Sequence, residues 1–254
     1  MPLLTIITIT YNAEQFLERT LRSVAKAARL VPGVVDEVEY ILVDGASQDG
    51  TLQIAEQYSS LFTRILSEPD KGLYDAMNKG LSLATGDYLW FLNAGDEVHD
   101  GQVLSRLLHA FQDPADVYYS DALFVDDSGQ EIGLRSQVTP HALPKEIHWQ
   151  DFALGMKISH QAFIVRRTIV PAYDTTNLSA DIDWEIKCLK RSQKTVYLPF
   201  VLCRYLTGGI SARHRRRSLL DRFKVLRGHF GLFPTVVNHI RIVARGLRFY
   251  SFKK

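Results

Sequence analysis

A chain of 254 residues with 46% apolar side chains can bury one large core, or a catalytic domain with an appendage, which excludes a disordered tail. No run approaches the roughly 18 apolar residues of a membrane span, and the start, Met1-Pro2-Leu3-Leu4-Thr5, lacks the basic residues of a secretory signal. The expected location is therefore cytoplasmic. Cys188 and Cys203 are the only cysteines; with no metal-binding spacing around them they read as reduced, partly buried thiols rather than a disulfide framework. The net charge of +2 conceals an asymmetry: residues 1–210 hold 18 Lys/Arg against 27 acids, and residues 211–254 hold 12 against one, Asp221.

Residues 3–10 form a β-branched apolar run ending at Tyr11-Asn12, and Phe16, Leu17, Leu21, Val24 and Ala28 then recur at helical spacing. Tyr40-Ile41-Leu42-Val43 repeats the pattern, stopping at Asp44-Gly45-Ala46-Ser47-Gln48-Asp49-Gly50-Thr51 before a helix through Tyr58. A third unit runs from Arg64-Ile65-Leu66-Ser67 through Pro69 to a helix carrying Tyr74, Met77 and Leu81, and a fourth strand, Tyr88 to Leu92, ends at Asn93-Ala94-Gly95-Asp96. Alternating helices and continuously apolar strands indicate a buried parallel sheet whose ligands collect at the carboxyl ends of the strands. Beyond residue 98 the pattern loosens: strand-like segments lie at 116–125 and 162–166, and a helix spans about 181–191. This half is expected to shape an acceptor site. A boundary falls near Gly208-Gly209, dividing a domain at 1–210 (halves 1–98 and 99–210) from a basic helical tail at 211–254.

Four polar clusters could carry chemistry. Asp44 ends an apolar strand, where its carboxylate could accept hydrogen bonds from a nucleobase or ribose, or simply cap its turn. Ser47 and Asp49 are better explained as turn and helix-capping residues. Asp75, Asn78 and Lys79 share one helix face, either as a surface ion pair worth a few tenths of a kcal/mol or as a surface for nucleotide and phosphate. Asp96 could supply a carboxylate oxygen to a divalent ion that steadies a diphosphate leaving group. Asp181 and Asp183 start a helix, where acids favour the N-terminus; one of them could instead take a proton from an attacking hydroxyl.

In this order, the motifs resemble glycosyltransferase family 2, over about residues 3–210. The resemblance rests on Thr8-Ile9-Thr10-Tyr11-Asn12, Val43-Asp44-Gly45-Ala46-Ser47-Gln48-Asp49-Gly50-Thr51, Asp70 to Gly80, Ala84-Thr85-Gly86-Asp87-Tyr88, Asn93-Ala94-Gly95-Asp96, Asp181-Ile182-Asp183-Trp184 and Gly208-Gly209-Ile210-Ser211. It implies a GT-A fold of the α/β class, with a Rossmann-like nucleotide-binding half, a mixed central sheet and, here, C-terminal amphipathic helices. It further implies inverting transfer from a nucleotide-sugar donor, with UDP-sugars favoured and GDP- or dTDP-sugars as alternatives, to a glycan or lipid-linked acceptor of bacterial surface polysaccharide synthesis. Asp44 would bind the base, Thr10 and Asn12 would line the nucleotide pocket, and Asp75 with Lys79 would complete the nucleoside and phosphate contacts. Asp96 would hold Mn²⁺ or Mg²⁺; relatives often carry an acid where Asn93 stands. Asp181 matches the general base, with Asp183 second. Ser159-His160-Gln161-Ala162-Phe163 resembles a segment near the acceptor, although a histidine satisfied before a core strand fits equally well.

In the tail, Val236, Val237, Ile240, Val243 and Leu247 form one stripe of a helix at 234–250, with Arg241, Arg245 and Arg248 on another face, while Leu219, Leu220, Phe223 and Leu226 make the Arg215-Arg216-Arg217 segment amphipathic. Such helices suit an anionic membrane surface, making the protein peripheral on the cytoplasmic face of the inner membrane; alternatively they pack on the domain or on a second subunit. Nucleic acid is not an expected partner, because the larger part of the chain is net negative. A nucleotidyltransferase is disfavoured by the lack of a Gly-rich basic loop after the first strand.

Overall fold

The computed structural model describes residues 2–31, 33–209 and 214–251; Ile210 and Ser211 of the last motif above lie outside them. Seven strands form the central sheet: β1 (Leu4–Thr10), β2 (Val38–Asp44), β3 (Arg64–Ser67), β4 (Tyr88–Phe91), β6 (Val117–Tyr119), β9 (Phe163–Arg166) and β10 (Thr195–Tyr197), in the spatial order β10-β6-β9-β4-β1-β2-β3. All pairings are parallel except those of β9, which runs against both β4 and β6. All seven residues of β1 are buried, as expected of a strand covered on both faces. A second sheet, in the order β5-β11-β7-β8, joins β5 (Glu97–Val98), β7 (Ala122–Val125), β8 (Glu131–Leu134) and β11 (Cys203–Leu206).

The helices of the first half are α1 (Leu17–Arg29), α2 (Val34–Glu37), α3 (Thr51–Gln57) and α4 (Leu73–Leu83). Close packing of α4 on the sheet depends on Gly80, where an added Cβ would lie 2.6 Å from Cγ2 of Ile7 on β1. The second half contributes α5 (Val103–Ala110), the short α6 (Arg135–Val138) and α7 (Ala180–Arg191).

The run 116–125, read from sequence as one strand-like segment, is two strands in different sheets. Between them the Ser120 hydroxyl accepts from Leu202 N–H at 3.1 Å and the Asp121 carboxylate accepts from Ala122 N–H at 3.0 Å. These side chains satisfy backbone groups that the sheet ladders leave open, so the chain can change sheets without orphaned donors.

The tail forms an antiparallel hairpin of α8 (Arg215–Phe230) and α9 (Leu232–Ser251), turned at Gly231 with φ +83°. Its inner side packs on the domain: Val225 and Leu226 are buried, and Phe230 stacks on Trp149 with ring centroids 5.3 Å apart. Arg245, expected to project with Arg241 and Arg248, instead turns inward, donating from Nη2 to the Leu154 carbonyl at 2.9 Å and to His141 Nδ1 at 3.0 Å. Both cysteines are free and fully buried.

Candidate active site

Because β4, β1, β2 and β3 are parallel neighbours, their carboxyl ends share one edge of the sheet, bringing Thr10, Asp44, Ser67 and the turn from Asn93 to Asp96 together. Asp44 is fully buried: it accepts from Ser47 N–H at 3.0 Å, Ser47 Oγ at 2.5 Å and Ser67 Oγ at 2.7 Å. Its turn is stapled to the end of β1. Asn12 N–H donates to Ser47 Oγ and Gln48 N–H to Asn12 Oδ1, each at 2.8 Å. Asn12 and Ala46 both adopt left-handed backbone, φ +47° and +62°, a conformation that asparagine tolerates and alanine does so less readily. The Thr10 hydroxyl, beside Asp44 in the register, is buried with no hydrogen-bond partner. Tyr11 stands exposed above Gly45, where a Cβ would crowd both Tyr11 and Asp70. Ser47 and Asp49 act as the turn chemistry predicts, with Asp49 accepting the Thr51 N–H at 3.0 Å.

The face of α4 is less open than its sequence suggests. Lys79 reaches back to Glu68 at 2.9 Å and to the Pro69 carbonyl at 2.7 Å, and lies 4.0 Å from Asp75, which accepts the Lys71 N–H at 3.0 Å. Asn78 does not face this loop. Its amide forms a reciprocal pair with the Tyr173 backbone, donating to the carbonyl at 3.0 Å and accepting from the N–H at 2.8 Å. Asn78→Ala is thus expected to destabilise the fold by about 2 kcal/mol in denaturant titrations, because it orphans two backbone groups.

Asp96 is buried at the seam between the two sheets. Its Oδ1 accepts the Leu206 N–H at 2.9 Å, and its carboxylate also takes a hydrogen bond from the Gln161 side chain. Burial, outweighing these bonds, raises its pKa to about 7. Gly95 before it has φ +101° and lies against Leu206, where a Cβ would fall 2.6 Å from Cδ2. Asn93 Oδ1, on the same turn, is buried without a hydrogen-bond partner. A carboxylate and an amide oxygen are hard donors that fit Mn²⁺ or Mg²⁺. Among the described residues no group of three or more His, Cys, Asp and Glu side chains forms a metal site. Asp96 and Asn93 are the residues of this turn that would hold such an ion.

Asp181 opens α7, half-buried. Burial raises its pKa, opposed by hydrogen bonds from Ile182 N–H and the Tyr74 hydroxyl and by the charge of Arg222 on α8. Asp183 points elsewhere, as positions two apart on a helix do: it binds His229 Nε2 at 2.7 Å and Lys187 at 2.6 Å. Burial pushes its pKa up, but these bonds outweigh that effect and lower it. Asp183 thus ties α7 to α8. One turn after Asp181, Glu185 is fully buried with neither carboxyl oxygen hydrogen-bonded, and burial together with the neighbouring Asp181 pushes its pKa well up. Burial first, and then the charges of Asp96 and Asp181, raise the pKa of Tyr205 on β11.

His160 and Gln161 separate in role. His160 is buried among aromatic rings, with Nε2 2.7 Å from the Tyr173 hydroxyl, and burial lowers its pKa to about 3, so its ring is neutral at physiological pH. Gln161 reaches Asp96. Sequence reading missed Tyr11, Tyr74, Tyr205 and Arg222, of which only Tyr11 and Tyr74 fall in motifs that could have drawn attention.

This architecture is that of the GT-A glycosyltransferases. The protein is similar to Staphylococcus aureus TarS 1–349, solved with UDP-GlcNAc (TM-score 0.69, 20% identity, 89% of this chain and 65% of that one). It is also similar to the mannosyltransferase PcManGT of Pyrobaculum calidifontis, solved with GDP-Man and Mn²⁺ (TM-score 0.64, 16% identity, 95% of this chain and 69% of that one). Residues 5–171 match the Glycosyl transferase family 2 profile, and the chain belongs to that family of glycosyltransferases. Its relatives include the PGL/p-HBAD biosynthesis glycosyltransferase Rv2957 of Mycobacterium tuberculosis H37Rv, 32% identical over 233 residues, covering 87% of this chain and 84% of the relative. The family match ends before α7, which carries Asp181.

Proposed function

We propose that this glycosyltransferase moves a sugar with inversion from a nucleotide-sugar donor, UDP-linked by preference, to a hydroxyl of a glycan or lipid-linked acceptor in surface polysaccharide or glycolipid synthesis. The observation that carries this reading is the gathering of Thr10, Asp44, Ser67 and the turn from Asn93 to Asp96 at one edge of the parallel strands. The donor's nucleoside would lie along Thr10, Asn12 and Asp44, with the exposed ring of Tyr11 available to stack on the base. Asp44 Oδ2 already accepts two hydrogen bonds and Oδ1 one, so a direct contact with the base would use the remaining acceptor site of Oδ1. Asp75 and Lys79 would approach the nucleoside and phosphates if Lys79 exchanged its Glu68 partner for phosphate.

A divalent ion, held by Asp96 with Asn93, would neutralise charge building on the departing diphosphate. Asp181 would take the acceptor hydroxyl's proton as that oxygen attacks the anomeric carbon opposite the leaving group; burial, by strengthening it as a base, suits this task. Tyr74 and Arg222 would orient its carboxylate. Asp183, with both oxygens engaged, is left a supporting role. The UDP preference and the surface-glycan acceptor draw support from TarS, solved with UDP-GlcNAc, and from the PGL/p-HBAD naming of the mycobacterial relative.

Thermal unfolding in Mn²⁺ with a panel of UDP-, GDP- and dTDP-sugars tests the donor class. A cognate donor at a hundred times its Kd should add about 2.7 kcal/mol of stability, a rise of roughly 5–10 °C for a chain of this size. If a folded sample responds to no nucleotide sugar, the reading is wrong.

A further inference from the structure

The outer face of α9 is an exposed apolar stripe. Leu232, Phe233, Val236, Ile240, Val243 and Leu247 fall within about 100° of one another around the helix, and Phe233, Ile240 and Leu247 are 79%, 66% and 71% exposed. A continuous exposed apolar surface of this kind marks a contact site rather than ordinary surface variation. The helix is apolar on its outer side yet already packed on its inner side, through Arg245 and through His239, whose ring meets Phe223 at 5.0 Å. Arg241 and Arg248, both exposed, follow one another along one edge of the stripe, and α9 contains no acid.

We propose that the α8–α9 hairpin docks the protein on an anionic lipid surface, with the α9 stripe set among the acyl chains and Arg241 and Arg248 at headgroup level. An apolar face rimmed by arginines fits such a surface. An antiparallel face-to-face pair with a second copy would set the two arginine rims side by side, where they repel. No helix among the described residues is long and apolar enough to cross a membrane, so α9 lies in the interface plane.

The dock also sets the orientation of the active site. Asp221 on α8 accepts the Leu178 N–H at 3.2 Å, and Ser179 Oγ donates to the Ser218 carbonyl at 3.0 Å. These bonds fix the hairpin to the residues that lead into α7 and Asp181. On the transfer reading above, the hairpin would hold the candidate base beside the bilayer from which a lipid-linked acceptor emerges.

Cosedimentation with vesicles of phosphatidylcholine alone and of equimolar phosphatidylcholine and phosphatidylglycerol tests the dock. The protein should bind the anionic vesicles far more tightly. Ile240→Ser with Leu247→Ser should weaken that binding on the order of a hundredfold, and Arg241→Gln with Arg248→Gln should remove most of the preference for phosphatidylglycerol. All four side chains are exposed, so unfolding temperatures should stay at the parent value, confirming folded samples. Binding to neither vesicle, equal binding to both, undiminished binding by the serine variant, or a concentration-dependent dimer that this variant abolishes would each overturn the proposal. UDP binding by the same samples reports on the donor reading separately, so the two can fail independently.

Discussion

Asp181→Asn should reduce transfer by about 10²- to 10⁴-fold while leaving donor binding within a few-fold of the parent, because the amide keeps the side chain's shape but cannot accept the acceptor's proton. The surrounding contacts sharpen this expectation. Burial raises the pKa of Asp181 from its ordinary 3.8, so the parent's kcat/KM should fall on the acid side along a limb set above that value. The variant's residual rate should lack the limb. Asp183→Asn provides the internal contrast: it weakens the contacts to His229 and Lys187 that tie α7 to α8, so it should lower stability more than chemistry. A transfer rate near the parent's in Asp181→Asn, measured with saturating donor, would remove Asp181 from the mechanism.

Asp96→Asn should separate function from stability. Metal-stimulated transfer should fall by at least about 10²-fold, since one hard carboxylate is lost where the leaving diphosphate would be neutralised. The metal-free fold should become more stable at pH 8. The sign follows from linkage: the folded pKa, about 7, lies above the ordinary 3.8, so the folded state holds its proton more tightly than the unfolded chain. Stability from this group is fully present below about pH 4, declines as pH rises to 7, and stays low beyond. At pH 8 the asparagine variant avoids a penalty on the order of 2–4 kcal/mol. Denaturant titrations of both proteins at pH 5 and pH 8, with chelator present, give the comparison. A gap between them that does not widen with pH would show that Asp96 is ionised without strain in the fold.

Much of the first half was legible because its physics is local. Continuous apolar strands such as Leu4 to Thr10 require cover on both faces, and the polar clusters mark where those strands stop. The second half obscured itself. Residues 116–125 read as one strand-like segment because the polar pair Ser120-Asp121 marks a break without saying that the chain changes sheets there. β8, β10 and β11 are three or four residues long, too short to show a period. At the site, motif order indicated Asp96 and Asp181, but the contacts that distinguish Asp181 from Asp183 come from Tyr74 on α4, and from Arg222 and His229 on α8, all far away in the chain. Arg245 read as a surface charge because its partners, the Leu154 carbonyl and His141, lie about a hundred residues upstream. Glu185 could not have been read as an unpaired buried acid, since a helix pattern does not reveal what faces it.

The single reversed strand has a consequence for how the two halves communicate. Parallel strands deliver their last residues to the ligand edge, whereas β9, running the other way, delivers its first. The chain therefore arrives at that edge through His160 and Gln161 and then descends into the sheet, placing the Gln161 amide on Asp96 and the Gln161 carbonyl on Trp90 Nε1 at 2.7 Å. The approach to β9 thus sets the second half against the carboxyl edge of the parallel strands. Changes in length or sequence between Gly155 and Ser159 should be felt at Asp96, through the Gln161 side chain.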